Sequence, residues 1–100
     1  MNEPQQAQDV EPWLRRDGAV LRAAYPNGVP PEEYEPLVYV LADTMSFRGV
    51  AHLLDYCGIR DYYGAYNDVL GIVDRHDRYA EAAKPVLEKL IRHGYDPNAE

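Results

Sequence analysis

Few side chains in this sequence have the chemistry for metal binding, and their spacing is unsuitable. The imidazole and thiol groups of the 100-residue chain belong to His52, Cys57, His76 and His93. A structural zinc site needs a full tetrahedral set of ligands, usually supplied by closely spaced Cys and His pairs. His52 and Cys57 are five residues apart, which places them on different faces of a helix. We therefore expect no metal site, and nothing in the sequence indicates a cofactor.

Acid–base and nucleophilic catalysis also lack a convincing residue pattern. Residues 74–78 read Asp-Arg-His-Asp-Arg, which combines carboxylates with an imidazole. Catalysis needs a pocket and a positioned partner, and neither follows from this spacing, so a solvated connection between helices is the better interpretation. Thr44 and Ser46 lack the flanking glycines of a nucleophile elbow, and no glycine-rich phosphate loop is present. We predict that the protein is not an enzyme.

The length, charge and hydropathy of the chain exclude several further classes of protein. One hundred residues suffice for one domain, since domains usually contain roughly 100–150 residues. The net charge of −7 opposes binding to nucleic acid phosphates, and a single cysteine excludes an internal disulfide. The longest apolar run, residues 37–42, is far shorter than the roughly 20 residues of a membrane helix, and no secretory signal is recognisable. We expect a cytoplasmic protein that does not bind membranes.

Apolar residues recur with helical spacing along most of the chain, and no segment alternates as a strand would. The pattern predicts an all-α bundle of five short helices near residues 10–25, 32–45, 47–57, 61–75 and 78–93. We expect this bundle to form a single domain over residues 10–97, preceded by a disordered arm at residues 1–9.

The predicted helix ends rest on capping residues. Ser46, Asp61 and Asp77 are the expected N-caps of the last three helices, and Gly58 and Gly94 follow two C-termini. Asp9 is the corresponding N-cap for the first helix. Pro85 falls inside the last helix, which must therefore be kinked there or divided in two.

The segment at residues 25–30 is the clearest turn in the sequence. Tyr25, Pro26, Gly28 and Pro30 belong to a Tyr-Pro-Asn-Gly-Val-Pro sequence that ends one helix and leads into the next. Proline fixes its own φ and restricts the residue before it, whereas glycine accepts a positive φ. We interpret these four residues as a structural turn that sets the first two helices against each other.

This turn carries a family resemblance. Residues 21–30, followed by Tyr34-Glu35-Pro36-Leu37, resemble a small actinobacterial family catalogued as domain-of-unknown-function family 3349. The likeness spans roughly residues 13 to 97, although only the turn at 25–30 is specific. In this chain Pro85 lies later than the family's corresponding proline, and Asp96 separates Tyr95 from Pro97. The resemblance implies a compact all-helical bundle in an intracellular actinobacterial protein, and it supplies no activity or catalytic residues.

The third and fourth predicted helices raise the possibility of a helix-turn-helix. The predicted reading helix has three aspartates between Asp61 and Asp74 and no basic residue before Arg75. Phosphates would repel such a helix, so a helical hairpin is the better interpretation and nucleic acid binding ranks third.

The same helix suggests a surface for a protein partner. Tyr62 and Tyr66 share one helical face and belong towards the core, whereas Tyr63 lies about 100° away and is the more accessible. Tyrosine is enriched in interfaces because it combines a large ring with a polar tip. We therefore name Tyr63, Asp61 and Asn67 as candidate partner-binding residues.

The function predicted from these observations is that of a protein-interaction module or adaptor without catalytic activity, with an unidentified protein partner. The alternative is a regulatory protein that binds a small molecule in a cleft between helices, where an apolar pocket with a few convergent polar groups is expected. Either protein would be a monomer or a weak homodimer.

Overall fold

The structure is all-α, as the hydrophobic periodicity predicts. It is a computed structural model that describes residues 11–98. Five helices follow one another in this part of the chain: α1 (Pro12–Ala24), α2 (Pro31–Thr44), α3 (Phe47–Tyr56), α4 (Tyr62–Ile72) and α5 (His76–Arg92). Their bounds lie within three residues of the predicted ones. The predicted arm at residues 1–9 and the predicted cap Asp9 lie outside the described residues.

Two of the predicted N-caps are confirmed and one is wrong. The side chains of Ser46 and Asp61 accept hydrogen bonds of 3.0 Å from the backbone N–H groups of Gly49 and Gly64. Asp77 does not cap α5, because that helix already begins at His76. Asp77 lies in its first turn instead, where a carboxylate also interacts favourably with the helix dipole.

The connections after α1, α3 and α5 each contain a glycine with positive φ. Gly28 has φ +93°, Gly58 +73° and Gly94 +105°, a region that residues with a Cβ rarely adopt. The expected helix-terminating role of Gly58 and Gly94 is therefore confirmed, and Gly28 supplies the positive φ expected in the turn at 25–30.

Pro85 lies inside one helix, α5, rather than between two. Proline removes the N–H that would bond to the carbonyl of Glu81. Pro85 and Glu81 both lie on the exposed side of α5. A second proline, Pro36, is accommodated within α2. The alternative of a divided last helix is therefore wrong.

Helix α2 is the centre of the bundle. It packs against α3, α4 and α5, while α1 covers α3 and α5, and α3 and α4 form an adjacent helical hairpin. The side chains of Leu37 and Val38 are fully buried, and Leu41 almost fully. They meet buried leucines from the other helices: Leu53, Leu54 and Leu90. The central position follows from an apolar surface that extends around most of α2.

Three consecutive residues at the start of α2 connect it to other elements. Glu33 Oε1 accepts hydrogen bonds from the Tyr25 hydroxyl (2.9 Å) and from Lys89 Nζ (3.1 Å). The Tyr34 hydroxyl donates to Asp68 Oδ2 of α4 at 2.5 Å.

Glu35 completes the set, because its Oε1 accepts a 2.6 Å hydrogen bond from the Tyr79 hydroxyl of α5. We call residues 33–35 the α2 anchor. It fixes the amino-terminal end of the central helix to the preceding turn, to α4 and to α5.

The α1–α3 contact depends on Gly18, which lies against Tyr56. A Cβ at this position would lie 2.7 Å from Cε2 and 3.0 Å from Cδ2 of Tyr56, and 3.6 Å from Cys57 Sγ. The Tyr56 ring therefore rests directly on the α1 backbone.

Asp17, which the sequence analysis did not single out, is buried on the core side of α1, with 3% of its side chain exposed. Its carboxylate accepts hydrogen bonds from Arg16 at 3.1 and 3.5 Å. The burial of Asp17 could have been predicted from the sequence, because Asp17 lies three residues after Leu14 and four before Leu21 and so shares the helical face of these two buried leucines.

Candidate functional site

The outer face of α4 presents the side chain that the sequence favoured for partner binding. Tyr63 is 78% exposed, the largest exposure of any large apolar or aromatic residue in the described part of the chain. Asn67 is exposed one helical turn later, and Leu70, 42% exposed, follows after a further three residues. Positions separated by four and three residues share one face of a helix. We call Tyr63, Asn67 and Leu70 the α4 face.

Two further tyrosines lie near Tyr63 on α4, and one of them, Tyr62, contacts its ring. Tyr62 and Tyr66 are half-buried, and their rings stack in parallel with centroids 6.4 Å apart. Tyr62 also meets Tyr63 edge to face, with centroids 5.4 Å apart. The exposed ring therefore contacts one member of a stacked aromatic pair.

Asp61 contributes structure and charge to the same end of α4. Its carboxylate caps the helix through Gly64 and lies 3.7 Å from Arg60, yet 68% of the side chain remains exposed. Tyr63, Asp61 and Asn67 are thus all accessible within the first two turns of α4 and at its cap.

A second feature was not located by sequence analysis. An open groove of about 810 Å³ lies between the turn at 25–30 and the α3–α4 connection. Three of the four predicted turn residues, Tyr25, Pro26 and Gly28, line it, whereas Pro30 does not. The turn therefore forms one wall of a groove in addition to joining two helices.

Two arginines also line this groove. The Arg22 guanidinium lies 5.0 Å from the centroid of the Tyr56 ring and donates a long, 3.5 Å hydrogen bond to the Tyr56 carbonyl. Arg60 Nε donates to Asp68 Oδ2 at 2.9 Å. Asp68 in turn accepts the Tyr34 hydroxyl, so Arg60 belongs to the network that the α2 anchor forms with α4.

The tyrosines of the α2 anchor network are held in the protonated form. Burial, together with the hydrogen bond to Glu33, raises the pKa of Tyr25 well above its ordinary value. Burial and the hydrogen bond to Asp68 do the same for the pKa of Tyr34. For Tyr79 the hydrogen bond to Glu35 is the main cause of a raised pKa.

The cysteine also faces the groove. Cys57 is half-buried, and burial raises the pKa of its thiol, with a smaller opposing effect from the positive charge of Arg22. A raised pKa keeps the thiol protonated at neutral pH, and a protonated thiol is a poor nucleophile.

The remaining candidates for metal binding and acid–base chemistry are dispersed. His76 Nδ1 is hydrogen-bonded to the Tyr39 hydroxyl, and His93 forms the C-cap of α5. Residues 74–78 surround a shallow depression of about 340 Å³. Within residues 11–98, no three His, Cys, Asp or Glu side chains are grouped closely enough to hold a metal ion.

None of the helices in the described range combines the length and apolar character needed to cross a membrane. The chain matches no protein family model, no curated protein and no solved structure. Membership of family 3349 therefore stays a prediction from the turn at 25–30.

Proposed function

We propose that this protein is a protein-interaction module without catalytic activity, and that it binds its partner through the α4 face. The observation that carries the proposal is the 78% exposure of Tyr63, whose ring meets Tyr62 edge to face. A pre-positioned aromatic ring loses little conformational entropy on binding, and tyrosines are frequent hot spots of interfaces.

The charges around the α4 face favour a basic partner. Helix α4 itself contains no lysine or arginine, and Asp61 and Asp74 are exposed at its two ends beside Arg60 and Arg75, so residues 60–75 together carry a net charge of −1. Opposite charges around an interface accelerate association and exclude partners of the same sign. The proposed partner surface therefore has an apolar pocket for the Tyr63 ring and lysines or arginines at its rim.

The same charges count against nucleic acid as the partner. In the helical hairpin of α3 and α4, the helix that would enter a DNA groove is α4, which offers the phosphates no cation.

The proposal is tested by comparing Tyr63→Ala with Ile91→Ala. Ile91 is 47% exposed on α5, so its truncation removes a similar apolar surface away from α4. Immobilised wild type and both variants are used to capture partners from an extract of the source organism. The captured protein is then purified and its affinity measured by titration calorimetry.

Wild type and Ile91→Ala should bind this protein equally, whereas Tyr63→Ala should weaken binding by about thirtyfold or more, as for a hot spot of about 2 kcal/mol. Added salt should weaken the wild-type complex, because the rim contacts are ionic. Equal affinity for wild type and Tyr63→Ala, or a partner with an acidic binding surface, would contradict the proposal.

A further inference from the structure

The groove between the turn at 25–30 and the α3–α4 connection has the dimensions of a ligand site. Its volume of about 810 Å³ lies within the range of roughly 300–1,000 Å³ that small-molecule pockets occupy. The apolar side chains of Leu21, Val29 and Ile59 line it together with the rings of Tyr25 and Tyr34.

The charge of the groove is opposite to that of the protein. The chain has 17 Asp and Glu against 10 Lys and Arg. The described residues that line the groove nevertheless include two arginines, Arg22 and Arg60, and no carboxylate. In a protein of net charge −7, this is a local reversal of sign that favours an anion.

Arg22 has the capacity to bind such an anion. Its side chain is exposed, and stacking on the Tyr56 ring orients the guanidinium. Among residues 11–98, no carboxylate forms an ion pair with it, and its hydrogen bond to the Tyr56 carbonyl is long. Guanidinium groups bind carboxylate and phosphate groups in a bidentate geometry, through two parallel N–H···O hydrogen bonds. Arg60 supplies a second positive charge, although Asp68 and the more distant Asp61 partly neutralise it.

From these observations the geometry points to a second binding site that is independent of the α4 face. The groove binds a small organic anion whose carboxylate or phosphate group pairs with Arg22, with Arg60 adding a second cation. The apolar or aromatic body of the ligand packs on Leu21, Val29 and Ile59.

A pair of fluorescent dyes tests the proposed ligand chemistry. The anionic probe is 8-anilinonaphthalene-1-sulfonate, and N-phenyl-1-naphthylamine has the same ring skeleton without the sulfonate. The folded protein should bind one molecule of the sulfonate dye, at least about tenfold more tightly than the neutral dye, because a charge-assisted hydrogen bond is worth that factor or more. Equal affinities would show that only apolar surface is being bound and would overturn the proposal.

Arginine substitutions test which cation is responsible. Arg22→Gln should weaken binding of the sulfonate dye by about tenfold and leave the neutral dye unaffected. Arg60→Gln should weaken it less, since Arg60 is already paired with Asp68. The control is Arg48→Gln, because Arg48 is exposed on α3 and does not line the groove. If Arg48→Gln weakened binding as much as Arg22→Gln, the dye would be responding to net charge and the site would be wrong.

Two native reporters locate the bound dye. Gly28 and Gly58 line the groove, so the NMR signals of their backbone amides should shift on titration, whereas those of Gly71 and Gly94, which do not line it, should not. Cys57 lines the same groove, and a bound dye should slow its alkylation by N-ethylmaleimide severalfold.

Shifts confined to other glycines, or an unchanged alkylation rate with saturating dye, would overturn the assignment. The Tyr63→Ala variant should bind the dye as wild type does. A failure of the α4 proposal and a failure of the groove proposal are therefore distinguishable.

Discussion

Replacement of Gly18 by alanine should reveal how closely α1 and α3 approach each other. Alanine is favoured over glycine in a helix interior by about 1 kcal/mol. Here the added methyl group would lie 2.7 Å from Cε2 of Tyr56, well inside van der Waals contact. Overpacking of this kind costs about 1–3 kcal/mol. We therefore expect Gly18→Ala to lower the free energy of unfolding by about 0–2 kcal/mol.

The sign of the effect should change when the Tyr56 ring is removed. In a Tyr56→Ala background the clash is absent, so Gly18→Ala should raise the free energy of unfolding by about 1 kcal/mol. The coupling energy of the double-mutant cycle should be about 1–3 kcal/mol. Urea unfolding followed by circular dichroism measures all four proteins, and an unchanged m value shows that only stability is altered.

Gly71→Ala provides the control for helix propensity alone. An added Cβ at this position meets nothing within 4 Å, and Gly71 is exposed near the end of α4. The substitution should stabilise the protein by about 0.5–1 kcal/mol whether or not Tyr56 is present. If Gly18→Ala stabilised the wild type as much as it stabilised the Tyr56→Ala variant, the Tyr56 ring would not limit the α1–α3 approach.

Three further predictions concern the α2 anchor and the core. Stability should fall above about pH 10, because unfolding returns the raised pKa values of Tyr25 and Tyr34 to normal and releases their protons; urea unfolding should show a slope of up to ~1.4 kcal/mol per pH unit for each. Partial burial raises the pKa of Glu33, but the hydrogen bonds from Lys89 and Tyr25 outweigh it and lower the pKa overall, so stability from this carboxylate should be lost as pH falls below about 4.5. That loss should be smaller in Lys89→Met, as the pH dependence of its urea midpoint would show. Leu54→Ala should cost about 2–5 kcal/mol, since Leu54 is fully buried, and a cost below about 1 kcal/mol in thermal or urea unfolding would contradict its place in the core.

The parts of the fold that depend on local signals were predictable from the sequence. Ser46 and Asp61 follow a turn and precede an apolar helical stripe, so their side chains have an obvious backbone N–H to bind. Asp77 also precedes an apolar helical stripe, yet the N-cap of α5 is Arg75, two residues before the predicted position. A carboxylate is favourable both as a cap and within the first turn, and sequence alone does not separate these positions.

The features that depend on tertiary packing were not predictable. The hydrogen bond between Tyr34 and Asp68 joins residues that are 34 positions apart, and no local sequence pattern predicts that they pair. The groove forms where the turn at 25–30 and the α3–α4 connection meet in space. No local sequence pattern shows that Arg22 and Arg60 line the same groove. By contrast, the exposure of Tyr63 followed from its angle to Tyr62 and Tyr66, since helical geometry alone determines which face each residue occupies.

The α2 anchor has a consequence for how this chain can diverge. Losing Asp68 alone would leave the Tyr34 hydroxyl without its acceptor, and losing Tyr79 alone would leave the Glu35 carboxylate without its donor. We therefore expect the two partners of each tyrosine–carboxylate hydrogen bond to be substituted together. The partners of these three bonds are separated by 8, 34 and 44 residues. Co-substitution at these spacings would identify distant relatives even where the turn sequence itself has been lost.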